Sequence, residues 1–193
     1  MPVMSALEGT FCRSRPWRFF ARRTVLPWTL DGHSLSGEVL EIGGGSGAMT
    51  AGAARTFSNA YITVTDVDQA MVDAARDRLA AYPNVNVQKA DVTALPFETG
   101  RFDMVTSYLM LHHVIDWEDA LAEVSRVLKP GGAFIGYDLT DTRLARWVHR
   151  LDGSPHRIVA ADQLADRLAV AGLTEVSVRS SFRGHVMRFQ AKR

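Results

Sequence analysis

Apolar runs and segments of helical periodicity alternate through most of this chain. The apolar runs predict strands at residues 37–42, 61–65, 85–90, 102–107 and 133–137. Apolar residues at helical spacing predict helices at residues 47–57, 69–82, 117–128, 142–151 and 162–171. Near the C-terminus, residues 175–181 and 185–191 alternate around a glycine turn, which predicts an antiparallel hairpin. Strands that alternate with helices form βαβ units, so we expect an α/β fold with a mostly parallel sheet.

The first 36 residues are less regular. Residues 11–28 mix five arginines with aromatic side chains. We expect part of this segment to be helical and to end near Pro27. It would serve either as a lid packed on the domain or as a peripheral anchor on a membrane surface. The predicted division is an N-terminal helical lid or appendage at residues 1–36 and a main domain at residues 37–193.

A glycine-rich segment follows the first predicted strand, where residues 39–47 read VLEIGGGSG. Glycine lets the backbone turn sharply and approach a ligand, and the next helix presents free N–H groups there. Asp66, Asp91 and Asp138 end three later strands. Because the carboxyl ends of parallel strands meet at one edge, we expect these segments and residues 107–113 to form one ligand-binding rim.

Composition narrows the class of protein. The chain has 193 residues, 47% of them hydrophobic, and a net charge of +1, so charge gives no reason to expect nucleic acid or an acidic partner. Cys12 is the only cysteine, which excludes an internal disulfide framework and fits a reducing compartment. Without an 18-residue apolar run or a signal-peptide core, the sequence predicts a cytoplasmic protein.

Five motifs in order resemble the class I S-adenosylmethionine-dependent methyltransferases of the small-molecule type. They are VLEIGGGSG at 39–47, Asp66 five residues before Met71, ADVTALPFETGRFDMVTS at 90–107, LMLHHV at 109–114 and LKPGG at 128–132. The resemblance covers about residues 39–171. It implies methyl transfer, S-adenosylmethionine as the cofactor, and a Rossmann-like three-layer αβα sandwich. Its seven-stranded sheet is mostly parallel with an antiparallel last strand, which agrees with the predicted hairpin.

The resemblance also implies which residues bind the cofactor. They are Glu41, Gly43, Gly44, Gly45, Gly47, Asp66, Val67, Asp91, Val92 and Ser107. Glu41 and the glycines would hold the methionine portion. Asp66 would accept hydrogen bonds from the ribose hydroxyls and Asp91 from the adenine amino group, although Asp at a strand end also caps helices and turns.

The adenine and the reactive side complete the implied site. Val67 and either Leu95 or Phe97 would enclose the adenine ring, with the Val92 N–H at its edge. Ser107 would line the reactive side.

His112 and His113 are the candidate general bases. A positioned base accelerates attack by a hydroxyl about 10²–10⁴-fold. The alternative is that each histidine only packs or forms structural hydrogen bonds beside the cofactor pocket. Weaker candidates, predicted to be solvated or capping residues, are Tyr108, Asp138, Asp141, His149 and His156.

The class of methyl acceptor is narrowed by a motif that the predicted rim lacks. Methyltransferases of nucleobase amines carry an Asn/Asp-Pro-Pro-aromatic turn where residues 106–109 read TSYL here, so we expect no nucleic-acid partner. We expect an O or N nucleophile on a small-molecule or lipid-like acceptor. We expect no metal, because Asp138 and Asp141 with a rim histidine form only a loose ligand set for Mg²⁺. The sequence predicts no oligomeric state.

Two other classes stay open. One is a non-catalytic S-adenosylmethionine-binding protein. The other is an NAD-dependent oxidoreductase, because Gly43, Gly45 and Ala48 also satisfy the dinucleotide fingerprint, with Asp66 placed 23 residues after Gly43.

Overall fold

The computed structural model describes residues 19–143, 145–147 and 156–193. The predictions for residues 1–18 and for His149 lie outside this part of the chain. The strands are β1 Gly37–Ile42, β2 Ala60–Asp66, β3 Val85–Lys89, β4 Phe102–Tyr108, β5 Leu128–Leu139, β6 Thr174–Ser181 and β7 Val186–Lys192. The α-helices are α1 Leu26–Leu30, α2 Ala48–Thr56, α3 Gln69–Leu79, α4 Trp117–Val127 and α5 Ala161–Val170. A π-helix lies at Ala21–Val25, and 3₁₀-helices lie at Leu111–His113 and Phe182–Gly184. None of the described helices has the length and apolar character needed to cross a membrane.

The seven strands form one sheet in the order β3-β2-β1-β4-β5-β7-β6. The first five strands pair in parallel, and β7 is antiparallel to both β5 and β6. This arrangement confirms the predicted seven-stranded, mostly parallel sheet with an antiparallel last strand. The strand order reverses between β1 and β4, which is where ligands bind in open α/β sheets.

Two apolar layers cover opposite faces of the sheet, because successive residues of a strand point to opposite sides. On one face, Leu40 and Ile42 join a fully buried cluster that includes Trp117 of α4 and Leu164 of α5. On the other face, Val39 packs in a cluster with α1 and α2. In α4 the apolar residues at helical spacing, Trp117, Leu121 and Val124, are the buried ones.

The start of β5 differs from the prediction. The sequence predicts a helix up to residue 128 and a strand from residue 133, which leaves residues 129–132 as the connection. Instead α4 ends at Val127, and Leu128 already pairs with Phe102 of β4. The Gly131 N–H donates to the Arg193 carbonyl oxygen at 2.8 Å. The segment is strand because of partners distant in sequence, which local pattern does not reveal. The end of α3 differs as well: the prediction ends this helix at residue 82, and the structure ends it at Leu79.

A π-helix at Ala21–Val25 leads directly into α1, and Pro27 lies in the first turn of α1, so the helical segment ends at Leu30, three residues after the predicted end near Pro27. A proline is accommodated at this position because the first-turn N–H has no intrahelical partner. Leu26 and Leu30 are buried in the same cluster as Val39. Residues 25–35 thus contribute to the core of the sheet, while the lid function of residues 1–36 stays a prediction.

The predicted helix at residues 142–151 is described only in part. Residues 143 and 145–147 are helical. The remainder of that prediction lies outside the described residues.

Candidate active site

Asp66 ties the glycine segment to the end of β2. Its Oδ2 accepts a hydrogen bond from the Gly45 N–H at 2.9 Å, and its Oδ1 accepts one from the Asp68 N–H at 2.9 Å. Burial raises the pKa of Asp66 above its ordinary value, against the lowering effect of these bonds. The carboxylate is fixed at the rim position predicted for a ribose ligand, and that role stays a prediction.

Asp91 lies two residues after β3 and caps a turn. Its Oδ1 accepts hydrogen bonds from the Thr93 N–H at 2.9 Å and the Thr93 hydroxyl at 2.8 Å. Although burial opposes ionisation, these bonds help to hold the pKa of Asp91 below its ordinary value. The capping alternative is therefore present in the structure, and contact with adenine stays a prediction.

The glycines of the loop have different reasons to be glycine. A Cβ at Gly43 would collide with Met110, one at Gly44 with Val64, and one at Gly47 with Leu79. At Gly45, by contrast, no atom of the described chain lies within 4 Å of such a Cβ, and φ is +55°. Packing therefore also requires glycine at three of these positions, whereas at Gly45 the loop faces open space, and the role of the four glycines in holding the cofactor stays a prediction.

Glu41 is a buried carboxyl beneath the glycine segment, with 2% of its surface exposed. Its Oε2 accepts a hydrogen bond from the Thr50 hydroxyl at 2.8 Å, whereas no described residue donates to Oε1. Burial raises the pKa of Glu41 to about 8, although the Thr50 bond lowers it. A Cβ built on Gly44 would lie 3.0 Å from Oε1, so this oxygen lies directly against the loop.

These groups fit a ligand that carries a cation. A buried polar atom without a partner costs about 1–3 kcal/mol, and a positively charged donor would remove that cost. Ser107 at the end of β4 is fully buried, and among the described residues its hydroxyl also has no partner. The methionine ammonium and sulfonium of S-adenosylmethionine suit such a pair of oxygens.

The candidates for the adenine face differ in what they already contact. The Phe97 ring packs edge-on against Phe102 at 5.1 Å, and the Arg101 guanidinium lies 5.1 Å from its centroid. Phe97 is therefore part of the hydrophobic core. Val92 and Leu95 are also buried, while Val67 remains partly exposed at the end of β2.

His112 forms a buried pair with Asp138. The two residues are 3% and 0% exposed, and His112 Nδ1 lies 2.5 Å from Asp138 Oδ1. The backbone N–H of His112 donates to the other carboxylate oxygen at 3.3 Å, and the Leu139 N–H donates to Oδ1 at 2.6 Å. The ring of His113, also buried, lies 4.1 Å from that of His112, centroid to centroid. The structure brings both predicted bases to the rim and gives His112 a carboxylate that orients it.

Two of the weaker candidates were wrongly expected to be solvated or capping residues. Asp138 is buried because β5 continues to Leu139 and pairs there with β7. Tyr108 is buried at the end of β4, and burial together with the nearby charge of Glu41 raises its pKa. Asp141 is exposed and pairs with Arg146 at 3.2 Å, as expected for a solvated residue.

Metal ligands are not gathered in the described part of the chain. No group of three or more His, Cys, Asp or Glu residues there could hold an ion. The Asp138 carboxylate is occupied by His112 and that of Asp141 by Arg146.

Arg78 is a residue that the sequence analysis missed. From the last turn of α3 its Nη1 donates to the Ser46 hydroxyl at 2.6 Å and to the Ser46 carbonyl oxygen. It thereby braces the glycine segment. An arginine on an exposed-looking helix face carries no motif, so only the packing of α3 beneath the loop reveals it.

Comparison with known proteins agrees with this geometry. A family model described as "Methyltransferase domain" matches residues 40–136, half of the chain. The demethylmenaquinone methyltransferase of Clavibacter sepedonicus is 36% identical over 120 residues, which cover 62% of this chain and 45% of the relative. The ubiquinone/menaquinone biosynthesis C-methyltransferase UbiE of Pseudomonas syringae pv. syringae is 36% identical over 129 residues, covering 63% and 46%. The chain therefore spans just under half of the length of these curated relatives.

Solved structures share the whole fold at low identity. A chain of the complex between the Haloferax volcanii Trm112 methyltransferase activator and the putative methyltransferase superposes with a TM-score of 0.81 at 16% identity, covering 98% of both chains. A SAM-dependent methyltransferase from Aquifex aeolicus gives 0.77 at 18% identity and covers 98% and 99%. With the family match and the motif order, these findings confirm the predicted family: the chain belongs to the class I S-adenosylmethionine-dependent methyltransferases, enzymes whose methyl donor is S-adenosylmethionine.

Proposed function

We propose that the protein transfers the methyl group of S-adenosylmethionine to a small hydroxy-aromatic acceptor. The observation that carries the proposal is the buried His112–Asp138 pair at the rim. A hydroxyl nucleophile needs its proton removed, and a histidine oriented by a carboxylate is suited to remove it. The two relatives compared above are named for demethylmenaquinone and for quinone biosynthesis, which supports a hydroxylated aromatic ring.

The atom that receives the methyl group follows from the same chemistry. The sequence predicted an O or N nucleophile, whereas one relative is named a C-methyltransferase. A deprotonated phenol shares its negative charge between oxygen and the adjacent ring carbons. One base therefore serves O-methylation and C-methylation, and the orientation of the ring selects between them. In both cases the S–CH₃ bond breaks and S-adenosylhomocysteine leaves. After C-methylation the ring carbon also loses its proton to solvent, which restores the aromatic ring.

On the acceptor side, this chain would position a base. Asp138 holds the His112 ring through Nδ1, so Nε2 is the nitrogen that would take the proton from the acceptor hydroxyl. The buried carboxylate would stabilise the imidazolium that results. Tyr108 and Ser107 would line the path between acceptor and donor.

On the donor side, the residues of this chain would bind and orient the cofactor. When bound, S-adenosylmethionine supplies an activated methyl group. Glu41 Oε1 would accept from its ammonium, Gly45 would permit close approach, and Asp66 would accept from the ribose. Alignment of donor and acceptor supplies about 7–11 kcal/mol of the barrier.

The N-terminal segment would act as a lid over the acceptor. Phe19 and Phe20 expose 60% and 46% of their surfaces, and Phe20 lies at the acceptor side of the rim. Because residues 25–35 belong to the core, the informative truncation removes residues 1–20, which include both phenylalanines. A truncated protein that keeps full turnover would contradict the lid.

The test is a transfer assay with methyl-labelled S-adenosylmethionine and a panel of catechols and hydroquinones. We expect His112→Asn to lower turnover by about 10²–10⁴-fold, with affinity for S-adenosylhomocysteine unchanged. His113→Asn, which alters the neighbouring ring, should cause a much smaller loss. NMR of the product distinguishes oxygen from carbon methylation. Cofactor binding without transfer to any acceptor would instead indicate a non-catalytic binding protein.

A further inference from the structure

An apolar cavity of about 240 Å³ opens beside the ends of β4 and β5. Leu109, Leu139 and Val186 contribute from the strand ends, and Trp28, Tyr137 and Phe182 form an aromatic wall. None of the described residues that line it is charged. Sites that enclose a whole drug-sized ligand measure about 300–1,000 Å³, so this volume suits one part of a ligand.

The aromatic wall is fixed before any ligand arrives. The Trp28 ring lies edge-on to Tyr137 at 5.8 Å and to Phe182 at 5.7 Å. Arg188 donates to the Trp28 carbonyl oxygen at 2.7 Å, and its guanidinium lies 5.7 Å from the indole centroid. The same guanidinium pairs with Asp31 at 2.8 Å. Ordering the wall therefore adds little to the cost of binding.

The cavity lies next to the reactive side of the rim. Leu109 directly follows Ser107 and Tyr108, and its N–H donates to the Tyr137 carbonyl oxygen at 2.8 Å. Leu109 is held at φ +55°, a conformation that non-glycine residues rarely adopt. At the cavity, Phe182 exposes 64% of its surface. Exposed apolar surface beside a cavity is typical of a ligand-binding groove.

We propose that this cavity binds a hydrocarbon side chain of the methyl acceptor. The inference rests on the proposed function, because it takes the acceptor ring to lie at the rim near His112. The chain would then extend over Leu109 between Val186 and the aromatic wall. An uncharged lining favours hydrocarbon, since a charged group there would lose its hydration without a partner.

The experiment measures binding of 4-n-alkylphenols, from methyl to octyl, to the full-length protein saturated with S-adenosylhomocysteine. Calorimetry should show affinity rising by about fourfold per methylene until the cavity is filled. Val186→Phe, which fills the cavity, should abolish the gain for long chains and leave 4-methylphenol within about twofold. Val186→Ala should move the plateau to longer chains. The matched control is Val170→Phe, at an 88% exposed position of α5, which should leave the series unchanged.

Each outcome separates this inference from the proposed function. Methyl transfer to short and long phenols without any dependence on chain length would overturn the cavity assignment and keep the activity. Binding that depends on chain length, without transfer to any phenol, would support the cavity and overturn the activity. An alkylphenol series unaffected by Val186→Phe would overturn the assignment.

An aromatic wall is also suited to a quaternary ammonium group. A matched pair of phenols, one neutral and one cationic, tests this alternative. We expect 4-tert-butylphenol to bind more tightly than its cationic counterpart, 4-(trimethylammonio)phenol. Tighter binding of the cation would overturn the hydrocarbon assignment, because an aromatic cage for quaternary ammonium would explain it.

Discussion

The donor side of the rim, around Glu41, and the acceptor side, around Asp138, each bury a carboxyl group. The two carboxyl groups differ in their hydrogen bonds. Glu41 at the end of β1 has one oxygen bonded to Thr50 and one without a donor among the described residues. Asp138 on β5 accepts from the His112 ring, the His112 N–H and the Leu139 N–H. The proposed function gives this difference a meaning. A ligand would complete the hydrogen bonds of Glu41, whereas Asp138, which would position a base, already has its hydrogen bonds within the chain.

Asp138→Asn should break the acceptor side alone and give the largest effect. An amide in this position would donate to Nδ1 and favour the wrong tautomer of His112. We expect turnover to fall by about 10²–10⁴-fold while affinity for S-adenosylmethionine stays within threefold. Calorimetry and the labelled-methyl assay measure the two quantities. A parallel loss of cofactor affinity would show that the two sides are not separable.

Asp66→Ala should break the donor side with a smaller effect. Loss of a charge-assisted hydrogen bond costs about 1.5–3 kcal/mol, so cofactor affinity should fall by about tenfold to a hundredfold. Asp68→Ala is the matched control, because Asp68 caps α3 by accepting from the Ala70 N–H. The control should lower the melting temperature more than the affinity. Unchanged affinity in Asp66→Ala would contradict the ribose assignment.

The donor side could be predicted more fully than the acceptor side, and the reason is the range of the contacts. β1 has the predicted bounds, because a short apolar run between glycines specifies a buried strand locally. The rim position of Asp66 follows from the end of its own strand. By contrast, the burial of Asp138 depends on the pairing of β5 with β7. The sequence therefore indicates His112 as a candidate base but does not indicate Asp138 as its hydrogen-bond partner.

The glycine segment shows the same limit inside a strong motif. Its position and its neighbour Glu41 were predicted, but the reason for each glycine was not. Met110 and Leu79 decide which glycines are required by packing, and they approach from distant parts of the chain. A motif thus locates a site, but contacts with distant residues determine why each residue of the motif is required.

Glu41→Gln tests how burial of the donor-side carboxyl changes the pH dependence of stability. Burial raises the pKa of Glu41 from 4.5 to about 8. Between these values the unfolded chain is ionised at this position and the folded chain is protonated, so stability falls as pH rises. Glu41→Gln should remove this slope and raise the melting temperature at pH 8. A slope that persists in the variant would contradict burial as its cause.

The same substitution tests the ligand contact. A cationic group at Oε1 favours the ionised carboxyl, so S-adenosylmethionine should displace a proton from Glu41 at pH 7. The calorimetric enthalpy should then depend on the ionisation enthalpy of the buffer, and Glu41→Gln should lose this dependence. We expect the variant to bind about tenfold more weakly, the equivalent of about 1.4 kcal/mol.

Arg78→Met should give the smallest effect, because it acts on the loop and not on the ligand. Methionine keeps much of the aliphatic packing and loses the bonds to Ser46, each worth about 0.5–1.5 kcal/mol. Cofactor affinity should fall by about threefold to tenfold, and Arg78→Lys, which keeps a donor, should recover part of it. The acceptor side is untouched, so the chain-length dependence of alkylphenol binding should stay as in the parent protein. If that dependence also changes, the loop and the acceptor cavity are coupled, and the two sides of the rim act as one unit.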